Sequence, residues 1–508
     1  MSTAYDEVRY PTYSHAQLHP DRLGVPAWLM GLDPAPAESC RYLELGCGDG
    51  GTLTALAMAL PDSEFVGVDL APTAVARGRS TMAAVGIQNL TLVEANVADL
   101  PEDLGDFDYV VSHGVFSWVP EAARVGILRA CKERLRPDGV AYVSYNANPA
   151  GLLREMTRQM LRFHMRRGSR TPEEKLQEAH AFLGFLTTAR AEGDPWRQLL
   201  QSELDHLEAR LPASLVHDEL AEVNTPFWVH EVLDLAAAHG LRFLSEADDL
   251  GDHTALWPEH VVKLLAALED EPEDREQYID FLVARRFRQT LFCHGDRLLD
   301  RPVRPSRIQA LDVLAGVAAV GPDAPDLAPG VHVDFATPSG LVAGTDMALG
   351  KAALQLLGER WPAAIPFREL LAAARAATAP WRGAGEQDDG EDLARFLVRI
   401  QGARVIQLRR HRPPWPSRLE DVDDRPVASP LARHQAVLGG GVANLTAEMV
   451  DLDAVLRLVL GLCDGTLDRD ALTAELAEAA VLPDGSPAGR DALDDALGQL
   501  AEQGLLLR

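Results

Sequence analysis

The sequence of 508 residues has few of the features that mark exported, membrane-spanning or metal-binding proteins. Its five cysteines are scattered and odd in number, and no CxxC pair or Cys/His cluster has the spacing of metal ligands. No apolar run approaches the length of about 18 residues that a membrane span needs, and no basic segment precedes an apolar core near the start. These absences predict a cytoplasmic protein with reduced cysteines and no metal site.

Positive charge is also scarce. Lysine and arginine together number 48 against 76 aspartates and glutamates, which gives a formal net charge of −28. Such a surface repels nucleic-acid phosphates and anionic membranes, and it attracts basic protein segments or amines. We therefore expect no nucleic-acid partner, and we expect that a protein or peptide substrate, if there is one, is basic.

The most informative segment present is a glycine-rich turn between two apolar strands. Residues 43–45 form the first strand, Gly46 and Gly48 lie in the turn, and a second strand ends at Asp69. Glycines let a ligand approach the backbone closely, and a carboxylate about 20 residues further on can accept both hydroxyls of a ribose. The pattern predicts a site for a nucleoside-containing cofactor.

The glycines fit both the dinucleotide fingerprint and motif I of class I S-adenosylmethionine methyltransferases. A dinucleotide would place its pyrophosphate on this turn. Glu44 before the turn and Asp49 inside it would oppose that charge, whereas they suit the sulfonium and ammonium groups of S-adenosylmethionine. We therefore predict S-adenosyl-L-methionine as cofactor and S-adenosyl-L-homocysteine as product. The predicted cofactor contacts are Glu44, Gly46, Cys47, Gly48, Asp49, Gly50, Asp69, Leu70, Asn96, Val97, His113 and Gly114.

Strands and helices alternate along the first 150 residues, which predicts an α/β fold with a doubly wound, Rossmann-like sheet. A helix, a glycine and a strand at 227–246 add a late strand to this sheet, so the helical segment before them is an insertion. The C-terminal helices suggest a winged helix, although their many carboxylates argue against DNA binding. The predicted domains are a methyltransferase core at 1–150 and 213–256, a helical insertion at 151–212, a helical regulatory or linker region at 257–330, a mostly helical middle domain at 331–411 and a winged-helix-like domain at 430–508.

The first helix of the insertion carries an arginine every four residues. Two interpretations fit this pattern: a solvated face paired with acidic neighbours, or a contact with a second subunit or a substrate. The arginines are Arg154, Arg158, Arg162 and Arg166, and they lie opposite Leu152, Met156, Met160 and Phe163.

Methyl transfer from a sulfonium is an in-line displacement, and an amine acceptor must lose its proton before it attacks. His113, after the fourth strand, is a candidate to take that proton or to orient the cofactor. Tyr145 is a second candidate to bond the nucleophile, and Asn146 points to the same crevice. Phe116 and Trp118 either wall a methylammonium by cation–π contact or simply pack in the core.

Beyond these motifs, several segments resemble bacterial class I methyltransferases that carry a methyltransferase regulatory domain. That family includes protein-lysine methyltransferases that modify outer-membrane proteins. The resemblance implies S-adenosylmethionine, a helical dimerisation region, a middle domain and a C-terminal domain around an open cavity. Two departures are Asn96, where the family usually has Asp, and Phe116, where it often has Tyr. The segments are 5–8, 19–23, 43–51, 113–120, 141–146, 217–220, 227–228, 238–241 and 425–433.

The sequence therefore predicts S-adenosylmethionine-dependent methyl transfer to a protein or peptide, with lysine as the leading acceptor and a homodimer as a possible assembly. Two alternatives stay open. A methyltransferase for small molecules or natural-product peptides would have a closed, apolar pocket over Phe116 and Trp118. A regulatory protein would bind the cofactor without transferring its methyl group.

Overall fold

The computed structural model describes residues 12–167, 171–208, 215–247, 257–268, 270–301, 303–321, 324–381, 388–479 and 488–508. Several predicted features fall wholly or partly outside these residues. They are residues 1–11, 213–214 and 248–256 of the predicted core, which include the family-like segment 5–8, residues 168–170 and 209–212 of the insertion, residues 269, 302 and 322–323 of the regulatory or linker region, residues 382–387 of the middle domain, and residues 480–487 of the winged-helix-like domain.

A seven-stranded sheet organises the first 300 residues. Its first strand is buried along Tyr42–Leu45, because helices cover both faces of the sheet. Tyr42 belongs to the apolar core on one face and Leu43 to the core on the other. The strands are β1 Arg41–Leu45, β2 Glu64–Asp69, β3 Leu90–Glu94, β4 Phe107–Ser112, β5 Leu135–Asn146, β6 Leu241–Glu246 and β7 Phe287–His294.

The strand order is β3-β2-β1-β4-β5-β7-β6. Strands β1 to β5 are parallel, while β7 is antiparallel to both β5 and β6. The chain order reverses between β1 and β4, and such a reversal opens a crevice at the carboxyl ends of the strands. The predicted fold class, a Rossmann-like methyltransferase sheet, is confirmed.

The sheet departs from the sequence prediction at two places. Residues 136–139, Arg-Pro-Asp-Gly, have the composition of a turn but lie inside β5, whose pairing with β4 shifts register between Phe107 and Tyr109. Strand β7 lies within a region predicted to be helical. A buried arginine, Arg288, interrupts its apolar pattern, and that side chain is paired with Asp280 and Glu246. A sequence pattern cannot anticipate such distant ion pairs.

Four helices accompany the parallel strands, and the second follows the glycine-rich turn directly. The third helix covers the edge formed by β2 and β3, and the fourth packs against β4 and β5. These helices are α1 Pro20–Leu29, α2 Gly51–Ala59, α3 Pro72–Val85 and α4 Glu121–Glu133.

The insertion is helical, as predicted, but the arginine face is on the inside. Arg154 and Arg158 are buried, whereas Leu152 is 51% and Phe163 is 67% exposed. The prediction of a solvated arginine face is therefore wrong for these two arginines, because carboxylates and an indole ring compensate their burial. The helices here are α5 Ala150–His164, α6 Pro172–Thr188 and α7 Pro195–Glu208, followed by a one-turn π-helix at Leu215–Glu219 and by α8 Val229–Ala238, α9 Glu259–Ala267 and α10 Pro272–Val283.

The following region combines a helical core with two three-stranded sheets, ordered β11-β10-β9 and β12-β8-β13, and the predicted helical middle region is confirmed. Its elements are α11 Pro305–Ile308, β8 Asp312–Leu314, β9 Ala318–Ala319, β10 Val333–Ala336, β11 Val342–Thr345, α12 Ala348–Arg360, β12 Ile365–Pro366, α13 Phe367–Thr378, α14 Asp389–Gly402 and β13 Gln407–Arg409.

The described residues of the C-terminal part form four helices, and Leu506 bridges Ala428. Leu431 and Ala443 also join one core of the large sheet. Among the described residues, no helix is both long and apolar enough to cross a membrane. The elements are α15 Pro430–Leu438, β14 Val442–Ala443, β15 Met449–Val450, α16 Ala454–Leu462, α17 Arg469–Ala479 and α18 Arg490–Glu502.

Candidate functional site

The glycine-rich turn wraps around the end of β2. The backbone amides of Gly46 and Cys47 donate to the carbonyl of Val68 at 2.7 and 3.1 Å. Gly46 has a φ of +78°, and a Cβ atom on it would collide with Val115. Gly48 has a φ of +58°, and a Cβ atom on it would point into open space. Glycine is therefore required twice, once for packing and once for backbone conformation.

A cavity of about 590 Å³ opens beside this turn, at the carboxyl ends of the strands. Most of the predicted cofactor contacts line it, together with several residues that the sequence did not single out. The predicted residues on its wall are Glu44, Gly46, Cys47, Gly48, Asp49, Asp69, Leu70, Asn96, Val97, His113, Gly114 and Trp118.

Glu44 is the most unusual of these groups. It is 5% exposed, and its Oε2 atom has no hydrogen-bond partner among the residues that the structure describes. Burial, with a smaller contribution from nearby Asp69, raises the pKa of Glu44 to about 8. A buried carboxyl group with a free oxygen suits a cationic ligand. The ammonium group of S-adenosylmethionine meets that requirement.

Asp69 ends β2 at the edge of the cavity. Its carboxylate accepts the amides of Gly48 at 2.7 Å and Ala71 at 2.8 Å, while burial raises its pKa. A carboxylate has about four acceptor positions, so it can also accept ribose hydroxyls. Asn96 accepts the amide of Ala98 at 2.9 Å through Oδ1, and its second lone pair stays available for an adenine amino group.

His113 lies across the turn from Glu44. Its Nδ1 atom is 2.9 Å from the hydroxyl of Tyr142, which donates to Oε1 of Gln289 at 2.8 Å. Burial, assisted by the neighbouring His15 ring, lowers the pKa of His113 to about 3. The imidazole is therefore neutral at physiological pH, and it acts as a hydrogen-bonding group in that form.

Four predicted residues do not line the cavity. Phe116 and Tyr145 are buried in the apolar core below it, where the Tyr145 hydroxyl is 3.1 Å from Thr290. Asn146 is buried and bonds Arg154 and Asn224. Gly50 has a φ of +72° and caps the start of α2. The predictions of a substrate contact for Phe116, Tyr145 and Asn146 and of a cofactor contact for Gly50 are corrected accordingly.

Trp118 does line the cavity, but the groups that contact its ring differ from those that the sequence predicted. The guanidinium carbons of Arg154 and Arg158 each lie 5.3 Å from the centre of its ring. The indole thus already contacts two cations supplied by the chain, and it is not the open wall for a methylammonium that the sequence suggested.

Other wall residues come from distant parts of the sequence. The Thr12 hydroxyl donates to Asp49 at 2.5 Å, and the His15 amide donates to the Thr52 hydroxyl at 3.2 Å. These bonds bring the N-terminal segment over the glycine-rich turn. The segment has no motif of its own, so only its contacts could have revealed it. The wall residues missed by sequence reasoning include Tyr13, His15, Thr52, Arg77 and Asp218.

Three family models match the chain in turn. A methyltransferase domain covers residues 43–141, a predicted methyltransferase regulatory domain covers 212–294, and the C-terminal winged helix domain of PKMT covers 424–484. The second match begins near Asp218 and ends with strand β7, and the third supports the predicted winged helix.

Relatives from Rickettsia prowazekii extend this likeness. The chain is 32% identical to the uncharacterized protein RP028 over 242 residues. This alignment covers 47% of this chain and 96% of that protein. The chain belongs to the bacterial class I S-adenosylmethionine-dependent methyltransferases. A second relative, RP789, is 32% identical over 314 residues, which are 62% of this chain. The chain spans only 56% of the length of that protein.

The fold of this methyltransferase has a solved counterpart. The structure of PKMT2 from Rickettsia typhi in complex with AdoHcy has a TM-score of 0.84 and covers 98% of this chain and 100% of its own, at 24% identity. At that identity the likeness establishes the fold. The cofactor of the family is S-adenosylmethionine, and the buried oxygen of Glu44 and the carboxylate of Asp69 fit its ammonium and ribose groups.

Proposed function

We propose that the protein transfers the methyl group of S-adenosylmethionine to the side-chain amine of lysine in a protein or peptide. The observation that carries the proposal is the acidic lining of the cavity. Among the described residues, its wall has the carboxyl groups of Glu44, Asp49, Asp69 and Asp218 but a single guanidinium, that of Arg77. This charge favours a cationic cofactor together with a cationic acceptor. The match to a winged helix domain of PKMT, a class named for protein lysine methylation, supports the same assignment.

The proposed residue roles follow the geometry of the cavity. When bound, S-adenosylmethionine supplies an electrophilic methyl group on a sulfonium. Glu44 would hold its ammonium group, Asp69 its ribose and Asn96 its adenine. Tyr142 donates to Gln289, so its oxygen can accept from Nδ1–H of His113, which leaves Nε2 as the acceptor. In that tautomer His113 would orient an amine N–H and align its lone pair for in-line attack.

The test is to incubate the purified protein with methyl-labelled S-adenosylmethionine and a bacterial lysate, followed by mass spectrometry of labelled products. We expect methylated lysines in one or a few proteins, and clearly less label with the Asp69→Ala variant at a limiting cofactor concentration. Label found only in small molecules would support a biosynthetic methyltransferase instead. Cofactor binding without any labelled acceptor would support a regulatory protein.

We also propose that the protein works as a homodimer through the insertion. The support is that Leu152, Phe163 and Phe185 on α5 and α6 are 51%, 67% and 66% exposed, so a second copy could cover these large apolar side chains. Analytical ultracentrifugation should show a dimer for the wild type and a monomer for a Phe163→Ser, Phe185→Ser double variant. A wild-type monomer at micromolar concentration would refute this assembly.

The five free cysteines support the cytoplasm as the place of reaction.

A further inference from the structure

We infer that Asp218 binds the ammonium group of the acceptor lysine and makes the enzyme select a cationic side chain. The inference rests on the proposed function, and it adds a specificity-determining residue from outside the methyltransferase sheet. Asp218 lies on the one-turn π-helix at Leu215–Glu219, and its carboxylate is part of the cavity wall. Its side chain is 16% exposed, so a ligand bound there would be partly shielded from water.

The chain beyond this helix is fixed to the sheet by backbone hydrogen bonds. The amide of Thr225 donates to the carbonyl of Ser117, and the amide of Phe227 donates to the carbonyl of Asn146, both at 2.9 Å. These bonds join the segment to the loop after β4 and to the end of β5. That loop includes Trp118 and adjoins His113, so Asp218 belongs to the same end of the cavity as the residues proposed to handle the acceptor.

Within the segment, two neighbouring carboxylates have different relations to Arg154. Glu219 Oε1 accepts hydrogen bonds from Arg154 Nη2 at 2.6 Å and Nε at 3.0 Å. Asp218 Oδ2 lies 3.8 Å from Nη2, which is too far for a hydrogen bond. Asp218 thus forms a longer ion pair with the same guanidinium that Glu219 binds closely, and two carboxylates facing one guanidinium leave negative charge on the cavity wall.

A circuit of polar side chains holds this arrangement. Arg154 donates to Asn146 at 3.2 Å, Asn146 to Asn224 at 2.6 Å, and Asn224 to Glu155 at 2.9 Å. Glu155 then accepts from Arg158 at 2.9 Å. Connected buried networks of this kind restrict side-chain motion. The circuit also explains why Asn146 is polar, although it makes no contact with the cavity.

The same circuit places both arginines against Trp118. Two guanidinium groups already lie 5.3 Å from the centre of the ring, so the cation–π contacts of Trp118 are made within the chain. A carboxylate gives an incoming ammonium a stronger partner than this ring does. We therefore assign charge recognition to Asp218 and the shape of the wall to Trp118.

The test measures binding, separately from methyl transfer. A pentalysine peptide is titrated by calorimetry into the protein saturated with S-adenosylhomocysteine, at low ionic strength. The variant is Asp218→Asn, and the matched control is Asp234→Asn, which removes an exposed carboxylate from α8. We expect Asp218→Asn to weaken pentalysine binding about tenfold or more, because one charged hydrogen bond is lost. Asp234→Asn should bind pentalysine like the wild type.

Two further measurements make every outcome decisive. All variants must bind S-adenosylhomocysteine like the wild type; if Asp218→Asn does not, Asp218→Ser replaces it and should show the same loss, while Asp218→Glu should retain pentalysine binding within about threefold. Pentalysine acetylated on every side chain should lose the difference between wild type and Asp218→Asn. Equal binding of unmodified pentalysine by both proteins would overturn the role of Asp218 alone. A wild type that binds S-adenosylhomocysteine but no pentalysine would overturn the basic acceptor of the proposed function as well.

Discussion

The cavity has two ends that are built differently. The cofactor end is formed by the ends of adjacent parallel strands. The proposed acceptor end is formed by Trp118 and by Asp218, which lies in another part of the chain. At the cofactor end, Glu44, Gly48 and Asp69 are held by β1, β2 and the turn between them. Most of their hydrogen bonds go to backbone groups. At the acceptor end, side chains hold one another through buried ion pairs and amides.

This difference has a physical consequence for each end. Backbone hydrogen bonds of a parallel sheet are insensitive to a single side-chain change. The backbone of the cofactor end should therefore keep its structure when one side chain is substituted. A side-chain network loses its geometry when one buried member is removed, because the remaining charges are left without partners. We expect the acceptor end to be the part where single substitutions reduce stability most.

The largest effect is expected for Arg154→Met. Removing this guanidinium leaves the buried carboxylate of Glu219 without its hydrogen bonds at 2.6 and 3.0 Å. The free energy of unfolding should fall by about 3–5 kcal/mol. Urea denaturation monitored by circular dichroism measures the loss, and residual S-adenosylhomocysteine affinity shows whether the cofactor end survives.

The double variant Arg154→Met, Glu219→Leu is the control for that measurement. It removes both charges and should recover most of the lost stability, since a buried pair replaced by apolar groups is often neutral. If the double variant is as unstable as Arg154→Met, packing around Trp118 matters more than charge pairing, and the contrast between the two ends loses its basis.

Glu44→Gln should have the next largest effect, with opposite signs for stability and binding. Burial raises the pKa of Glu44 to about 8, above the ordinary value of 4.5. The folded state thus binds this proton more tightly than the unfolded chain, so stability is lost as the pH rises from about 4.5 through 8. At pH 8.5 the cofactor-free variant should be more stable than the wild type by about 2–4 kcal/mol.

The same variant should bind S-adenosylmethionine at least about tenfold more weakly, since the ammonium loses its charged partner. Thermal unfolding at pH 5, 7 and 8.5, with and without cofactor, separates the two effects. A variant that loses stability at every pH would mean that Glu44 supports the fold, not the ligand.

Asp69→Ala should have a smaller effect that is confined to the cofactor end. S-adenosylmethionine affinity should fall by about 1–3 kcal/mol, because the ribose hydroxyls lose a charged acceptor. Asp62→Ala, in the exposed turn before β2, is the matched control. Pentalysine binding should change in neither variant. Calorimetry with each ligand provides the check, and unchanged cofactor affinity would remove Asp69 from the site.

The same contrast explains how much the sequence could predict. Gly46, Gly48 and Asp69 are close in sequence and follow local rules for strands and turns, so they could be identified from the chain alone. Asp218 could not, because its place on the cavity wall depends on contacts between distant segments. Arg154 and Arg158 on α5 are buried, against the interpretation of a solvated arginine face, since periodicity alone cannot reveal that Glu219 and Trp118 compensate buried charge. Strand β7 was missed for a related reason, the ion pairs that bury Arg288.

Tyr145→Phe should have the smallest effect, and it tests where the cavity ends. Thr290 donates its hydroxyl to Glu246 at 2.6 Å, so the Tyr145 hydroxyl donates to Thr290. Losing this one bond should cost about 0.5–1.5 kcal/mol of stability and leave the methyl-transfer rate unchanged. Tyr142→Phe is the informative partner, since the Tyr142 hydroxyl lies 2.9 Å from His113. That change should lower kcat and alter its pH profile with little change in cofactor affinity. A reversed outcome, with Tyr145→Phe slow and Tyr142→Phe normal, would place the reacting amine against Tyr145 and make His113 a structural residue.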